Sequence, residues 1–282
     1  MNIPAYQYVL SMGGYIALLV GIVSVMRKQY RFASFFWLAA LLTFPLWSKN
    51  LDGWFRWAKT LSVLLPTILV GFSRVASYEK RKGKFWEFIQ KDWVLWFLYG
   101  VLFLNILEAT IKDFTMGNIY NGMAGFLLCV TIPFPMKFWK IGSGKHGDLI
   151  VYTTIAWNFL YTTWNGCFVF AEAGAFFASS ICILVAADLY SIITRRPELY
   201  VTARVYTLAT HILLRATIPQ IFPMLMDAST WQNAVVLKYW GIANVALMIP
   251  YVFWYVWQLH TGNADKSFHQ GKAEAAKLPA AG

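Results

Sequence analysis

Two polar side chains that could do chemistry, Asn105 and Glu108, lie inside the long apolar run 93–111. They are three positions apart, so a helix places them on one face. A charged group inside a membrane span is costly enough to be a site candidate by default. Asp113 follows at the end of this run, and Asn121 lies near the start of the next one. Because a buried carboxylate can exchange a proton or hold an ion, these four residues are predicted to line a polar cavity.

A second pair of ionisable residues, His211 and Arg215, lies four positions apart within the run 201–226. A short motif occurs twice in the chain, as LEATI containing Glu108 and as LRATI with Arg215 in the matching position. Both runs are predicted to cross in the same direction, so the two side chains would lie at a similar depth. We therefore expect an ion pair between Glu108 and Arg215 in the outer half of the membrane.

The run 149–171 carries a stripe of polar and aromatic residues. Asn158 and Asn165 share a helical face, which lies next to the rings of Tyr161 and Trp164. Two interpretations stay open: interhelical hydrogen bonds with packed rings, worth about 1 kcal/mol per contact, or the wall of a ligand cavity. These four residues complete the predicted set that binds a substrate or ion.

Other chemistry is predicted to be absent. Arg74, Asp188 and Glu172 lie near the ends of apolar runs, where side chains can reach the headgroups, so we expect them to snorkel. The sequence contains no His-x-x-x-His pair, no glycine-rich phosphate loop and no Gly-x-Ser-x-Gly motif. Its three cysteines are interpreted as packing residues. The sequence therefore predicts no metal and no cofactor, and it leaves open whether the protein is an enzyme.

Long apolar helices must position these side chains. Hydrophobic residues make up 59% of 282 positions and charged residues 13%, arranged in long runs rather than in alternation. A hydrocarbon layer about 30 Å thick needs roughly 20 apolar residues per helix, whereas the strands of a membrane barrel would alternate. The sequence predicts an all-α, polytopic transmembrane helical bundle in one domain over residues 1–259. A disordered cytoplasmic tail is predicted at 260–282.

Nine membrane spans are predicted. In chain order they cover residues 6–26, 32–48, 60–78, 93–111, 119–139, 149–171, 174–193, 201–226 and 237–259. The second is short and the fifth contains Pro133 and Pro135, so either could be tilted, shortened or re-entrant, which leaves seven or eight spans as alternatives. Lys and Arg are concentrated in the first, third, fifth and seventh connections, which predicts an outside N-terminus and a cytoplasmic C-terminus.

The net charge of +11 is spread over short basic clusters between apolar runs. This distribution indicates membrane topology rather than binding to nucleic acid. The connection 79–92 mixes five basic residues with large apolar ones, which predicts a short helix lying on the inner leaflet. Its basic side chains would attract anionic lipids, although a solvated loop is an equal alternative. The sequence leaves the oligomeric state open.

Five short motifs are distinctive in combination. They are WFRWAK at 54–59, NILEA at 105–109, KDF at 112–114, YNGMAG at 120–125 and WNFLY at 157–161. Together they resemble a family of bacterial multi-spanning membrane proteins that is classed as a domain of unknown function. The resemblance implies a bacterial inner-membrane protein and brings no activity with it. It also implies that Asn105, Glu108, Asp113, Asn121 and Asn158 belong to one recurring arrangement.

Functions from different classes fit these residues. One is a transporter or channel for an ion or small solute, with Glu108 as the proton- or ion-sensitive group and Arg215 as its counter-charge. Another is an embedded enzyme acting on a lipid or isoprenoid in the manner of a terpene cyclase, with Glu108 or Asp113 as general acid and aromatic rings stabilising a cation. A third is a structural or assembly subunit. The sequence favours transport, because charged groups on several spans are predicted to share one half of the membrane.

Overall fold

The computed structural model describes residues 3–263, apart from the side chain of Phe55, and this part of the chain is almost entirely helical. The helices are α1 (Ala5–Lys28), α2 (Tyr30–Ala40), α3 (Phe44–Asn50), α4 (Gly53–Tyr78), α5 (Lys84–Ile89), α6 (Trp93–Thr115), α7 (Ile119–Val130), α8 (Pro135–Phe138), α9 (Ile155–Glu172), α10 (Phe177–Thr194), α11 (Tyr200–Thr217), α12 (Ile221–Met226) and α13 (Ala234–His260). Strands β1 (Trp139–Ser143) and β2 (Asp148–Val151) form an antiparallel hairpin. The all-α prediction is confirmed, and most of the predicted tail lies outside the described residues.

Six helical segments of the described chain are long and apolar enough to cross a bilayer. They are Ala5–Lys28, Tyr30–Asn50, Arg56–Tyr78, Trp93–Thr115, Gly174–Thr194 and Ala234–His260. Large apolar side chains on them, such as Leu10, Leu42 and Phe253, are more than half exposed, as contact with lipid tails requires. The chain is therefore an integral membrane protein with multiple spans.

Proline explains why the fifth predicted span is not a long helix. Helix α7 has only 12 residues and ends at Val130. Pro133 and Pro135 follow, and proline both lacks an N–H group and restricts the residue before it. The chain then forms the short helix α8 and strand β1, so the prediction of a span over 119–139 is wrong.

Two other predicted spans also differ from the structure. The run 149–171 begins in strand β2, and only its second part forms the 18-residue helix α9. The run 201–226 is broken near Pro219 into the 18-residue helix α11 and the six-residue helix α12. Neither α9 nor α11 is apolar enough to be a candidate span by composition. The hairpin was not predicted, because its strands are short and continue apolar runs.

Hydrogen bonds place the helix ends on two opposite faces of the bundle. On the face that carries the β1–β2 hairpin, Arg74 near the end of α4 donates to the carbonyl oxygens of Met26 near the end of α1 and of Gly147 in the hairpin. On the other face, Lys112 near the end of α6 pairs with Glu172 at the end of α9. The first, third and fifth connections therefore meet at one face, called here the hairpin face. The seventh connection joins them, because its Arg196 lies 3.5 Å from the carboxylate of Asp148 in the hairpin.

Helix α11 lies at the centre of the described bundle. It packs against α1, α4 and α10 and contacts strand β2. Most of its side chains are buried, including the large rings of Tyr200 and Tyr206. A central helix is shielded from lipid by its neighbours, which explains how α11 accommodates more polar residues than the helices around it.

Candidate functional site

A cavity of about 90 Å³ lies between α4, α6 and α11, and it is open along one side rather than enclosed. Its wall is formed by Ser62, Val63, Pro66 and Thr67 of α4, Leu98, Val101, Leu102 and Asn105 of α6, Val201, Arg204, Val205 and Leu208 of α11, Tyr161 of α9, and Trp139 and Leu149 of the hairpin. Most of these side chains are apolar. The cavity therefore suits a hydrocarbon better than a hydrated ion.

Hydrogen bonds to neighbouring residues hold the two hairpin residues of the cavity wall, Trp139 and Leu149, in place. The indole Nε1 of Trp139 donates to the carbonyl oxygen of Pro133 at 2.9 Å. The carbonyl oxygen of Leu149 accepts a hydrogen bond from the hydroxyl of Thr202 on α11. Both side chains are buried, so the hairpin forms a fixed part of the cavity wall.

Arg204 is the charged residue of this wall. The residue is only 7% exposed. Its Nε and Nη1 atoms are buried and have no hydrogen-bond acceptor. The guanidinium carbon lies 5.5 Å from the ring centroid of Tyr161, which also lines the cavity. No ion pair of Arg204 occurs within residues 3–263. An arginine with unused donors at a cavity is a natural place for an anion.

Lys59, Asn105 and Glu108 connect α4 to α6 next to this cavity. The ammonium group of Lys59 bonds to the carboxylate of Glu108 and lies 3.1 Å from Oδ1 of Asn105. About a third of each charged side chain in this pair is exposed. Glu108 is thus paired with Lys59, and the predicted ion pair between Glu108 and Arg215 is wrong.

His211 and Arg215 face other neighbours. Nδ1 of His211 lies 3.0 Å from the hydroxyl of Tyr15, and its ring packs 4.7 Å from that of Phe222. The guanidinium of Arg215 lies 4.2 Å from the ring centroid of Phe176. Neither residue is part of the wall of the cavity. The two side chains therefore contact Tyr15, Phe222 and Phe176 rather than Glu108.

Asp113 is fully buried and forms the centre of a separate polar cluster. Its two carboxylate oxygens accept hydrogen bonds from the side-chain amides of Asn118 at 2.8 Å and Asn121 at 2.6 Å. Oδ1 of Asn121 accepts in turn from the amide of Asn244 on α13 at 2.7 Å. We call this cluster, completed by α9 as described next, the Asp113 joint.

Helix α9 completes the Asp113 joint. The indole Nε1 of Trp164 donates to the backbone carbonyl of Asn121 at 3.1 Å, and the amide of Asn121 donates to the carbonyl of Trp164 at 3.2 Å. Thr163 donates to Oδ1 of Asn244 at 2.9 Å. The joint therefore ties α6, α7, α9 and α13 together and holds the short helix α7 in place.

Asn158 and Asn165 lie apart from both groups. The amide of Asn158 donates to the carbonyl oxygen of Pro197 at 3.1 Å, while its buried Oδ1 has no donor. Asn165 is half-buried. The ten predicted residues thus do not converge on one cavity: Asn105 and Tyr161 line it, Glu108 lies beside it, and the others lie elsewhere.

The three charged residues that were expected to snorkel differ in their burial and in their partners. Arg74 is fully buried, so the expectation is wrong for it. Glu172 pairs with Lys112 at 2.7 Å and is about a third exposed, as a residue at a helix end should be. Asp188 is half-buried. Arg204 was missed, although an arginine inside the run 201–226 was a visible signal.

The hairpin is anchored by a buried ionic cluster. Nε and Nη2 of Arg27 bond the two oxygens of Asp148 at 2.8 and 2.9 Å, and Arg196 lies 3.5 Å from the same carboxylate. Arg74 donates to oxygens of five residues: Met26, Arg27, His146, Gly147 and Tyr206. Partial burial, together with the charge of Arg27, lowers the pKa of His146 below its ordinary value. This cluster fixes the hairpin against α1, α4 and α11.

Comparisons with known proteins give no family. No protein-family model, no curated protein and no solved structure matches this chain. The resemblance of its motifs to a bacterial membrane family therefore identifies no relative. Within the described residues, no group of three or more His, Cys, Asp or Glu side chains is arranged to hold a metal ion.

Proposed function

We propose that this integral membrane protein binds a ligand with a hydrocarbon chain, taken laterally from the bilayer into the cavity between α4 and α6. The observation that carries the proposal is the wall of the cavity, which is largely apolar and open along one side. Both flanking helices contain candidate membrane spans. A ligand dissolved in the hydrocarbon layer could therefore reach the opening without crossing water.

The same geometry supports a lipid-like ligand over a transported ion. The carboxylate of Glu108, which the transport hypothesis requires as the ion-sensitive group, is paired with Lys59, and that of Asp113 accepts hydrogen bonds from two asparagine amides. The cavity is lined by Val, Leu, Pro, Trp and Tyr side chains with few polar groups between them. Such a lining binds an apolar chain from the bilayer mainly by close packing, because a chain that leaves the hydrocarbon layer removes no surface from water. The proposed ligand is therefore a lipid or an isoprenoid, and the proposed activity is binding without a chemical reaction.

We further propose that the hairpin face is cytoplasmic. The basic connections meet at this face, which supports an outside N-terminus. Helix α5 is on the same connection as Lys80, Arg81 and Lys82, and its Phe85 and Phe88 are more than half exposed. These side chains suit a surface of anionic lipid at the inner leaflet of a bacterial cell membrane.

The proposal can be tested with a photoreactive derivative of hexadecanol in purified protein reconstituted into nanodiscs. Crosslinked peptides are identified by mass spectrometry. We expect labelling of α4, α6 and α11 at residues of the cavity wall. Leu102→Trp should fill part of the cavity and lower this labelling several-fold, because an indole takes the volume that the chain needs.

Leu107→Trp is the matched control, since Leu107 is also a half-buried leucine of α6 but is not part of the wall. It should leave the labelling of the cavity unchanged. Labelling confined to outward-facing residues of the spans, equal in both variants, would show that the cavity takes up no hydrocarbon.

A further inference from the structure

We infer that the ligand of this cavity carries an oxyanion, a carboxylate or a monophosphate, at the end of a single hydrocarbon chain, and that Arg204 binds this group. The inference rests on the proposed function, because it names the chemical class of ligand for the same cavity. It depends on the two guanidinium nitrogens of Arg204 that are buried without an acceptor.

The other buried arginines show that unused donors are not a general feature of this fold. Arg27 binds both oxygens of Asp148, and Arg74 donates to five oxygen atoms. Among the arginines of residues 3–263, only Arg204 has buried nitrogens without an acceptor. A buried charge that lacks acceptors is costly. An anion at the cavity would supply both the acceptor atoms and the opposite charge.

The surroundings of Arg204 stabilise its charge without forming an ion pair. The ring of Tyr161 lies against the guanidinium, and Asp188 and Tyr200 act on it electrostatically. The carboxylate of Asp188 is not within ion-pair distance of any arginine or lysine of residues 3–263. The side chain of Tyr161 also interacts with the guanidinium as a hydrogen-bond partner, and the Nε and Nη1 atoms of Arg204 remain without an acceptor and are available to a ligand.

The polar side chains that α4 and α6 contribute to the wall already have partners inside the protein. The hydroxyls of Ser62 and Thr67 donate to the backbone carbonyls of Lys59 and Val63, and the amide of Asn105 donates to that of Val101. Oδ1 of Asn105 accepts from Lys59. Arg204 is consequently the polar group of the wall with known unused donors, and a donor selects an acceptor. This favours an anion over an amine or a metal ion.

The size and shape of the cavity favour a single chain. A cavity of about 90 Å³ is smaller than the roughly 150 Å³ that holds benzene in a protein core. It can take a small head group and the first carbons of a chain, but not two acyl chains. Arg204, Tyr161 and Val201 form the buried wall, whereas Ser62 lies exposed at the opening. The head group would therefore reach Arg204, with the rest of the chain extending between α4 and α6 into the bilayer.

The test compares three ligands of equal chain length on the unmodified protein: hexadecanoate, hexadecyl phosphate and hexadecanol. Each competes with the photoreactive hexadecanol probe. We expect one of the two anions to compete at least about ten-fold better than hexadecanol, since a hydrogen bond to a charged group contributes that much. Whichever of hexadecanoate and hexadecyl phosphate competes better shows whether the head group is a carboxylate or a phosphate. Equal competition by all three would overturn the inference and leave the hydrocarbon site standing, whereas absence of labelling would overturn both.

Variants test the role of Arg204 itself. Arg204→Gln should lower the affinity for the preferred anion about ten-fold and leave that for hexadecanol unchanged, and Arg204→Lys should restore part of the loss because it restores the charge. Arg215→Gln is the matched control, an arginine of the same helix that lies over Phe176 and outside the cavity. It should bind the anion like the unmodified protein. An equal loss in both glutamine variants, or no loss in either, would contradict the assignment to Arg204.

Discussion

The Asp113 joint and the Arg204 cavity both place a charged residue in the interior of the bundle, but they treat it in opposite ways. Each oxygen of Asp113 accepts a hydrogen bond from an asparagine amide, and these amides are linked further to α9 and α13. Arg204 instead keeps two buried nitrogens without acceptors beside an open cavity. The first arrangement is a complete hydrogen-bond network, whereas the second lacks acceptors for two of its donor atoms.

This difference shows how a charged residue in a membrane protein can be assigned a role. A polar network whose groups all have partners fixes the relative positions of helices and offers nothing to a ligand. A buried group with free donors costs free energy in the unliganded protein, and a ligand that completes it recovers this cost. The two regions should therefore respond to mutation with opposite signs of stability change.

The largest effect is expected for Asp113→Ala. The substitution removes the acceptor oxygens to which the side-chain amides of Asn118 and Asn121 each donate one hydrogen bond, at about 1 to 3 kcal/mol for each buried donor. We expect a clear fall in the melting temperature in detergent, measured by intrinsic fluorescence. Asp113→Asn keeps one acceptor oxygen and should lose less. If Asp113→Ala melts like the unmodified protein, the joint is not a structural element.

Gly125→Ala should produce a somewhat smaller loss. A Cβ atom at Gly125 would lie 2.3 Å from Oγ1 of Thr110 and 2.6 Å from Nε1 of Trp164, so the packing of α7 against α6 and α9 must shift. Overpacking of this kind costs about 1 to 3 kcal/mol. Gly100→Ala on α6 is the control, because a Cβ there meets nothing within 4 Å. The expected result is a lower melting temperature for Gly125→Ala alone, and equal melting of the two variants would contradict it.

Arg204→Met tests whether a substitution at the cavity leaves the stability unchanged or raises it, in contrast to the loss expected at the Asp113 joint. It removes a buried cation with unused donors and keeps a side chain of similar length, so the unliganded protein should be as stable as before or more stable by about 1 kcal/mol. The melting temperature of delipidated protein measures this, and anion binding should be lost in the same variant. A large fall in stability would mean that Arg204 is a structural residue like Arg74.

The smallest effect concerns His146, in the hairpin that carries two residues of the cavity wall. Partial burial and the charge of Arg27 lower its pKa in the folded protein below the ordinary value of 6.5. The unfolded chain then binds the proton more readily, so the stability that His146 contributes is present above that value and is lost as the pH falls through the folded pKa. We expect His146→Asn to reduce the fall in melting temperature between about pH 7.5 and 5.5 by about 1 °C. An identical fall in both proteins would exclude His146 as its source.

The cavity could not have been predicted from the spacing of polar residues. The sequence brought Asn105 and Glu108 onto one helical face, and Asn105 does line the cavity. It also suggested Arg215 as the partner of Glu108, since both lie in the same short motif, but Lys59 is the residue within reach. Arg204 was not singled out, because its missing partners become visible only once the neighbouring helices are in place.

The sequence predicted nine spans, whereas six segments of the described chain are helices long and apolar enough to cross a bilayer, but it determined by itself that the chain is helical and crosses a membrane several times. These properties follow from the length and apolarity of each segment, and both are local. Only the tertiary structure decided that α7 stops short, that the hairpin enters the wall, and which charges are paired. Pairing depends on residues far apart in the chain, such as Arg27 and Asp148, and their meeting is set by the packing of whole helices.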